Sequence, residues 1–337
     1  MILTTIIPPM SSIYKTIKEL SDLLLHLNNI LIVTHERPDG DAIGSSFALQ
    51  QAFFNLGKKA DIYFSDTLPE RYLHLSNDQT YVIKPKPGAN YKYCIALDCG
   101  NYDRLALYDK NIRNRAEMIN IDHHPDNELF GLYNFVDSNA CATAEIIFDV
   151  VTSDTTWKIN SPFANFILIG IMLDTGGLRF DNTNAGVLRK TAALIDYGAD
   201  YLKIIKEMYF AKPLAMMLLE TDSCLNHMKS EFDGKFVYIH LSDELLNKYG
   251  IQYKETEGII DNLRTIKGVY IAATITKLND GYKISLRSNN ITYPVNQIAK
   301  ELSGGGHKLA AGCFVKSGDY LSVEALMLTK VKSLLGY

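Results

Sequence analysis

Short apolar runs alternate with stretches of helical periodicity through the first half of the chain. Residues 30–33, 60–64, 93–97 and 118–121 read as brief buried strands, and the pattern around them predicts helices over 11–27, 42–56, 143–151 and 162–173. Apolar runs of that length separated by helices imply βαβ units around a parallel sheet. After Asp181 the texture changes: residues 185–197 and 201–210 look like connecting helices with Gly198 as a C-cap between them, and Pro213 marks a break. Beyond it, 236–240, 269–276 and 282–287 predict strands, and 256–266, 295–302 and 323–335 predict helices. Asn279-Asp280-Gly281 supplies a hairpin turn, since Asp-Gly readily takes the positive φ angles that tight hairpins need. The expected architecture is therefore an α/β domain with a parallel sheet over 1–184, a helical linker over 185–212 and a smaller α+β domain over 213–337.

Composition narrows the partners. At 337 residues the chain exceeds the size at which single cores usually stop growing, which agrees with two domains. A formal charge of -4 and a pI near 6.1 argue against a grip on long nucleic acid, whose affinity comes from many Lys and Arg contacts to phosphate. A short anionic substrate held by a few residues and a metal is still compatible. The five cysteines are odd in number and form no CxxC pair, so neither a disulfide framework nor a structural zinc site is signalled. No run reaches the length of a transmembrane helix, and the N-terminus lacks the pattern of a signal peptide. We expect a cytoplasmic protein with no membrane partner, in which Ile6-Ile7-Pro8-Pro9 is a disordered lead-in.

The candidate chemistry sits where the apolar runs end. His35, Asp39 and Asp41 fall within seven residues directly after the 30–33 run and before a helix, which is where open α/β sheets bind ligands. The runs ending at Leu97, Ile121 and Leu173 are followed by Asp98, by Asp122-His123-His124 and by Asp174. Each feature alone could be a cap or a polar turn. Together, four apolar segments deliver carboxylates and imidazoles to one edge of a sheet, without a thiolate. That donor set suits a pair of divalent ions such as Mn²⁺, Co²⁺, Fe²⁺ or Mg²⁺. Two such ions roughly 3.5 to 4 Å apart can activate a bridging water and stabilise the attacking and leaving oxygens of a phosphoryl displacement, so hydrolysis of a phosphate ester or anhydride is the expected reaction.

With HERPDGDAIGS from His35, Leu97-Asp98, Asp122-His123-His124 and Asp174-Thr175-Gly176-Gly177, the chain resembles the DHH phosphoesterase superfamily. Ser285-Leu286-Arg287-Ser288, Gly304-Gly305-Gly306-His307 and Ala310-Ala311-Gly312 look like the DHHA1 domain that accompanies one branch of it. The resemblance implies one metal held by His35, Asp39 and Asp98, and a second held by Asp41, Asp98, His123 and Asp174, with Asp98 bridging. It implies that His124 faces the scissile phosphate and that Asp122 supports the histidine pair from behind. Mn²⁺ is the ion expected, with Mg²⁺ or Co²⁺ as alternatives. In the second domain, glycines can bring backbone N–H groups close to an anion, and Arg287 with Ser288 and His307 would clasp a substrate phosphate across Gly304, Gly305 and Gly306. Arg264 reads as a solvated charge. His26, His74, His227 and His240 have no partner pattern, and nothing in the spacing of the tyrosines picks out a base-stacking residue.

Within the superfamily, the resemblance points to enzymes that degrade short oligoribonucleotides to nucleoside 5'-monophosphates and convert 3'-phosphoadenosine 5'-phosphate to AMP. The substrate would enter a cleft between the two domains. A soluble phosphodiesterase for cyclic or linear dinucleotides is the nearest alternative, and a manganese-dependent pyrophosphatase lacks the GGGH domain. A noncatalytic nucleotide sensor is the rival from another class. The sequence does not decide the oligomeric state, and a homodimer is compatible with it.

Overall fold

A computed structural model of the chain describes residues 12–65, 68, 90–107, 112, 115–256, 258–278 and 280–337. Residues 6–9, His74 and the Asn279 of the expected turn lie outside them. The chain divides into two units, Met1–Ala211 and Lys212–Tyr337. Helices over residues 185–205 fold with the first unit, where Val187, Leu194 and Ile204 lie in the core.

The first unit is built on a parallel sheet of six strands: β1 (Ser12–Ile13), β2 (Ile30–Val33), β3 (Ala60–Tyr63), β4 (Tyr93–Leu97), β5 (Glu117–Asp122) and β6 (Tyr133–Val136). Their order is β1-β6-β5-β4-β2-β3. The central strands read as unbroken apolar runs because both faces are covered. Ile30, Ile32, Ile95 and Leu97 pack into one core, and Leu31, Val33, Cys94 and Ala96 into another. From β2 the chain crosses to β3 on one side and then returns to β4 on the other. The gap between the carboxyl ends of β2 and β4 is thus a topological switch point, the place where such sheets form a ligand crevice. Strands β1 and β6 escape the sequence pattern. The first has two residues, and the second contains Asn134, whose side chain both donates to and accepts from the backbone of Gly131.

Four helices cover one face: α1 (Ile17–Leu25), α2 (Gly40–Asn55), α3 (Thr143–Thr152) and α4 (Ser161–Asp174). Helix α1 starts later than its apolar pattern because Thr16 and Glu19 form a capping box. Helices α2 and α4 approach through glycine. A Cβ on Gly44 would lie 2.6 Å from the carbonyl oxygen of Phe166, and one on Gly170 would lie 2.8 Å from Oδ1 of Asp41. Side chains at these two positions would push the helices apart, so the glycines let Asp41 near the start of α2 approach α4. Further on, the expected helix over 201–210 is an α-helix only over Tyr201–Ile205 and continues as a π-helix over Lys206–Phe210.

The second unit carries a mixed sheet of β7 (Met228–Glu231), β8 (Phe236–Leu241), β9 (Ile271–Leu278), β10 (Gly281–Ser288), β11 (Gly305–His307) and β12 (Ala310–Val315). Its order is β11-β12-β10-β9-β8-β7, with only β8 and β9 parallel. Strand β7 is polar and fully exposed and β11 is Gly-Gly-His, so neither shows in a hydrophobic pattern. Helices Leu214–Asp222 and Asp243–Tyr249 were also not expected. Core residues lie on both faces, with Phe236, Ile271 and Ile284 on one and Val237, Ile239 and Ala272 on the other.

Candidate metal centre

Three neighbouring strands of the first unit deliver their side chains to one point. Val33 at the end of β2 leads to His35, Leu97 at the end of β4 leads to Asp98, and β5 ends on Asp122 before His123 and His124. Two helix termini complete the set. Asp39 is the N-cap of α2, where its Oδ1 accepts from the backbone N–H groups of Asp41 and Ala42 at 3.0 and 3.1 Å. Asp174 is the last residue of α4, so this donor comes from a helix and not from the sheet. Asp98 itself takes a φ of +54°, a left-handed conformation that Asp tolerates better than most residues but that still carries strain.

The donors fall into two groups that meet at Asp98. Ligand atoms of His35, Asp39 and Asp98 lie within 4.8 Å of one another, and so do those of Asp41, His123 and Asp174. His35 Nε2 is 3.7 Å from Asp98 Oδ2 and 4.0 Å from Asp39 Oδ2. His123 Nε2 is 3.6 Å from the other oxygen of Asp98, 3.4 Å from Asp174 and 3.9 Å from Asp41. Thus the two oxygens of one buried carboxylate face the two groups. Both imidazoles are oriented from behind: Nδ1 of His35 is 2.8 Å from the carbonyl of Glu36, and Nδ1 of His123 is 3.3 Å from that of Ala140. A carbonyl can only accept, so Nδ1 of each ring carries a proton and Nε2 faces the centre, where a bound cation would take the place of any proton on it, as in metal-ligating histidines.

Electrostatics test whether this donor set fits cations. Burial raises the Asp41 carboxyl well above its usual range, and the negative charges of Asp98 and Asp174 push it further. Burial works the same way on Asp98, but a hydrogen bond from His35 and the charges of His124, His123 and His35 hold it below the carboxylate range. Burial lowers His35, yet its bond to Asp98 and the charge of Asp39 raise it overall. Protons on histidine and aspartate therefore supply the positive charge that the cluster demands. Divalent cations would supply it more fully, and oxygen and imidazole donors without thiolate suit ions such as Mn²⁺ or Mg²⁺.

The surrounding residues show how the centre is held, and some were not predicted. Asp41 does more than face His123. Its Oδ2 accepts from the backbone N–H of Thr143 at 2.6 Å and its Oδ1 from that of Ala144 at 2.9 Å, capping α3, whose own N-cap Ala142 has no side-chain acceptor. Thr143 in turn donates its hydroxyl to Asp98 at 3.1 Å. Asp122 accepts from the backbone N–H of His123 and from Nδ1 of His124, both at 2.8 Å. It steers the ring of His124, while the ring of His123 is steered by Ala140. Asn127 locks Asp122 with a 2.6 Å bond to its other oxygen. Burial lowers His124, but the bond and charge of Asp122, with the charge of Asp98 behind it, lift its pKa to about 10. Thr143 and Asn127 lack a motif of their own, since one reads as a helix cap and the other as a loop residue.

In the second unit, the expected substrate residues separate into two kinds. Arg287 on β10 and His307 on β11 both pair with Ala310 of β12, so they share one row across three strands. Directly opposed residues project from the same face, which puts the two side chains about 10 Å apart in backbone terms with a small alanine between them. Arg287 also lies near Asp261, 3.6 Å away. Arg264 is only 15% exposed, lies 3.9 Å from the same carboxylate and donates to Asn289 at 3.0 Å, which corrects its reading as a solvated charge. Ser288 is buried and its hydroxyl donates to the carbonyl of Asn290 at 2.9 Å. Gly305 and Gly306 belong to a paired strand. The N–H of Gly304 donates to Ala299, and a Cβ at Gly304 or Gly306 would come within 2.2 or 2.6 Å of a carbonyl oxygen of β12. Close strand packing thus accounts for these two glycines.

Residues 29–171 match the N-terminal domain of the DHH family and residues 233–335 match the DHHA1 domain. Over 297 residues the chain is 34% identical to the bifunctional oligoribonuclease and PAP phosphatase NrnA of Thermus thermophilus, an alignment covering 86% of this chain and 85% of that protein. It is 26% identical over 294 residues to the protein of the same name from Bacillus subtilis, covering 87% and 91%. Among solved structures, an exopolyphosphatase-related protein from Bacteroides fragilis shares the fold with a TM-score of 0.82 at 24% identity, covering 94% of this chain and 95% of that one.

Proposed function

From the premise that the chain belongs to the DHH family and carries a DHHA1 domain, we propose that it is a divalent-metal-dependent phosphoesterase of the cytoplasm. It hydrolyses short oligoribonucleotides to nucleoside 5'-monophosphates and 3'-phosphoadenosine 5'-phosphate to AMP. The observation that carries this function is the meeting of two donor groups at the two oxygens of Asp98. The names of the Thermus and Bacillus relatives supply the substrate class.

His35, Asp39 and Asp98 would hold one ion, and Asp41, Asp98, His123 and Asp174 the other, with Mn²⁺ the preferred metal. When bound, such ions provide Lewis acidity and lower the pKa of water near the phosphorus. The protein's own contribution is positional and protonic. With Nδ1 engaged by Asp122, His124 carries its second proton on Nε2, where it can donate to a phosphate oxygen that gains charge. The hydrogen bond and charge of Asp122 on the far side of the ring favour keeping that proton. Arg287 and His307 take a second, non-reacting phosphate, Arg by a forked contact. A substrate read by two phosphates in this way is a short one. The net charge of -4 agrees with the absence of a long polyanion track.

Steady-state rates with Mn²⁺ on di- to pentaribonucleotides, linear and cyclic dinucleotides, adenosine 3',5'-bisphosphate and pyrophosphate test the assignment. Dinucleotide RNA and the bisphosphate should turn over, and kcat/KM should fall as RNA lengthens. Turnover of pyrophosphate alone, or faster cleavage of long RNA than of dinucleotides, would refute it.

A further inference from the structure

A groove of about 340 Å³ in the first unit begins just after the last metal donor. It is lined by Gly177, Arg179, Ile205, Tyr209 and Phe210. Its walls are tied to the metal centre by one carbonyl. Met172, two residues before Asp174, accepts from the N–H of Gly177 at 2.6 Å and from the hydroxyl of Tyr209 at 2.8 Å. The guanidinium of Arg179 lies over the Tyr209 ring at 5.7 Å from its centroid, with Nε donating to Gly176 at 2.5 Å. Gly177 has a φ of +75°, and a Cβ there would come within 3.3 Å of the Tyr209 ring. Phe210 is 78% exposed, an unusual state for phenylalanine, and it follows Tyr209 in the π-helical turn Lys206–Phe210. Such turns occur frequently at functional sites.

We propose that this groove is a nucleobase subsite, in which a base of the substrate stacks against the exposed Phe210 ring and the edge of Tyr209, beside the Arg179 guanidinium, while its phosphate sits at the metal centre. Every base presents a π face, and aromatic rings with an arginine plane form a sequence-tolerant platform for single-stranded nucleotides. The hydrogen bonds of Tyr209 and Arg179 to the Asp174 segment fix the platform relative to the reacting phosphate. This subsite rests on the phosphoesterase function above and adds to it: the enzyme recognises nucleotides, not phosphate esters in general. Among the described residues the groove lining holds no carboxylate to read a base edge, so it accepts purines and pyrimidines alike.

The test uses the full chain with Mn²⁺ and three substrates, a 5'-phosphorylated diribonucleotide and the two molecules in which one or the other base is replaced by an abasic ribose. Phe210→Ala, at an exposed position, and Tyr209→Leu should each lower kcat/KM for the intact dinucleotide roughly 5- to 100-fold, the range of one lost stacking contact. Both should leave one abasic substrate unaffected, and Tyr209→Phe, which keeps the ring, should lose far less. In parallel, quenching of a 2-aminopurine dinucleotide in the presence of EDTA should be seen with the wild type and weaken in both variants. The subsite is overturned if intact and abasic substrates fall equally, or if neither falls and the quenching persists. Absence of any wild-type turnover with retained, variant-sensitive quenching would overturn the phosphoesterase function and leave the subsite standing.

Discussion

Around Asp98 the donors His35, Asp39, Asp41 and His123 are each anchored by a second bond that leaves them aimed at the centre, whereas Arg287 and His307 owe their alignment to the register of one sheet. Asp39 spends one oxygen on capping α2, Asp41 caps α3, His35 and His123 are turned by backbone carbonyls, and Asp122 is locked by Asn127. In the second unit the row Arg287–Ala310–His307 is set by strand pairing, and its rigidity comes from glycines whose replacement would collide with β12. The first arrangement crowds buried carboxylates whose charge calls for bound cations or protons. The second holds half-buried Arg287 and His307 side chains on a row fixed by the backbone. On the proposed function one region serves chemistry and the other selection, so substitutions in the two should fail differently.

The largest effect should follow Asp98→Asn. An amide keeps the shape but removes the charge shared by both donor groups. We expect kcat to fall by about 10³-fold or more, comparable to losing a strong preorganised electrostatic contact. Calorimetric titration with Mn²⁺ should show fewer than two ions bound per chain. Thermal unfolding of the metal-free variant should shift to lower temperature, since the ionised carboxylate that His35, His123 and His124 stabilise is gone. Full turnover by Asp98→Asn would erase the contrast between the regions.

Much of this centre is legible in the sequence because its chemistry sits at positions that the hydrophobic pattern itself marks. His35, Asp98 and Asp122-His123-His124 each follow an apolar run, and a parallel sheet places all such ends on one edge. What stays hidden depends on contacts between elements distant in sequence. The capping of α3 by Asp41 spans 102 residues, and the Thr143 bond to Asp98 spans 45. The nearness of α2 and α4 rests on Gly44 and Gly170, which in sequence are only weak helix residues. In the second unit the failure has another cause. Strands β7, β11 and β12 are too polar, too short or too rich in small residues to register as strands, so the row that aligns Arg287 with His307 cannot be read from the motif alone.

A middle-sized effect is expected at Arg287. Arg287→Ala should raise KM for dinucleotide RNA, lowering kcat/KM about ten- to a hundredfold, the scale of a hydrogen bond to a charged group. The Mn²⁺ stoichiometry should stay intact, as should turnover of a small phosphodiester with no second phosphate. A fall in kcat on that small ester would move Arg287 from selection to chemistry, and the two regions would no longer divide the work. Arg287→Lys should recover only part of the loss, because an ammonium cannot make the forked contact.

The smallest effect tests the boundary of the second region. Ser288 stands next to Arg287 in the motif, and adjacency alone makes it a substrate residue. Strand geometry says otherwise, since neighbours along a strand face opposite sides of the sheet. Its side chain is fully buried, and its hydroxyl is bonded to the backbone of Asn290 as donor at 2.9 Å and acceptor at 3.2 Å. Ser288→Ala should therefore cost about 1 kcal/mol of stability, read as a lowered midpoint in urea unfolding, because it removes one hydroxyl from a buried turn. The KM for dinucleotide RNA should stay at the wild-type value. A rise in KM matching that of Arg287→Ala would mean that the hydroxyl leaves Asn290 to meet the substrate, and that the second region selects by rearranging its backbone and not by the fixed row of Arg287 and His307.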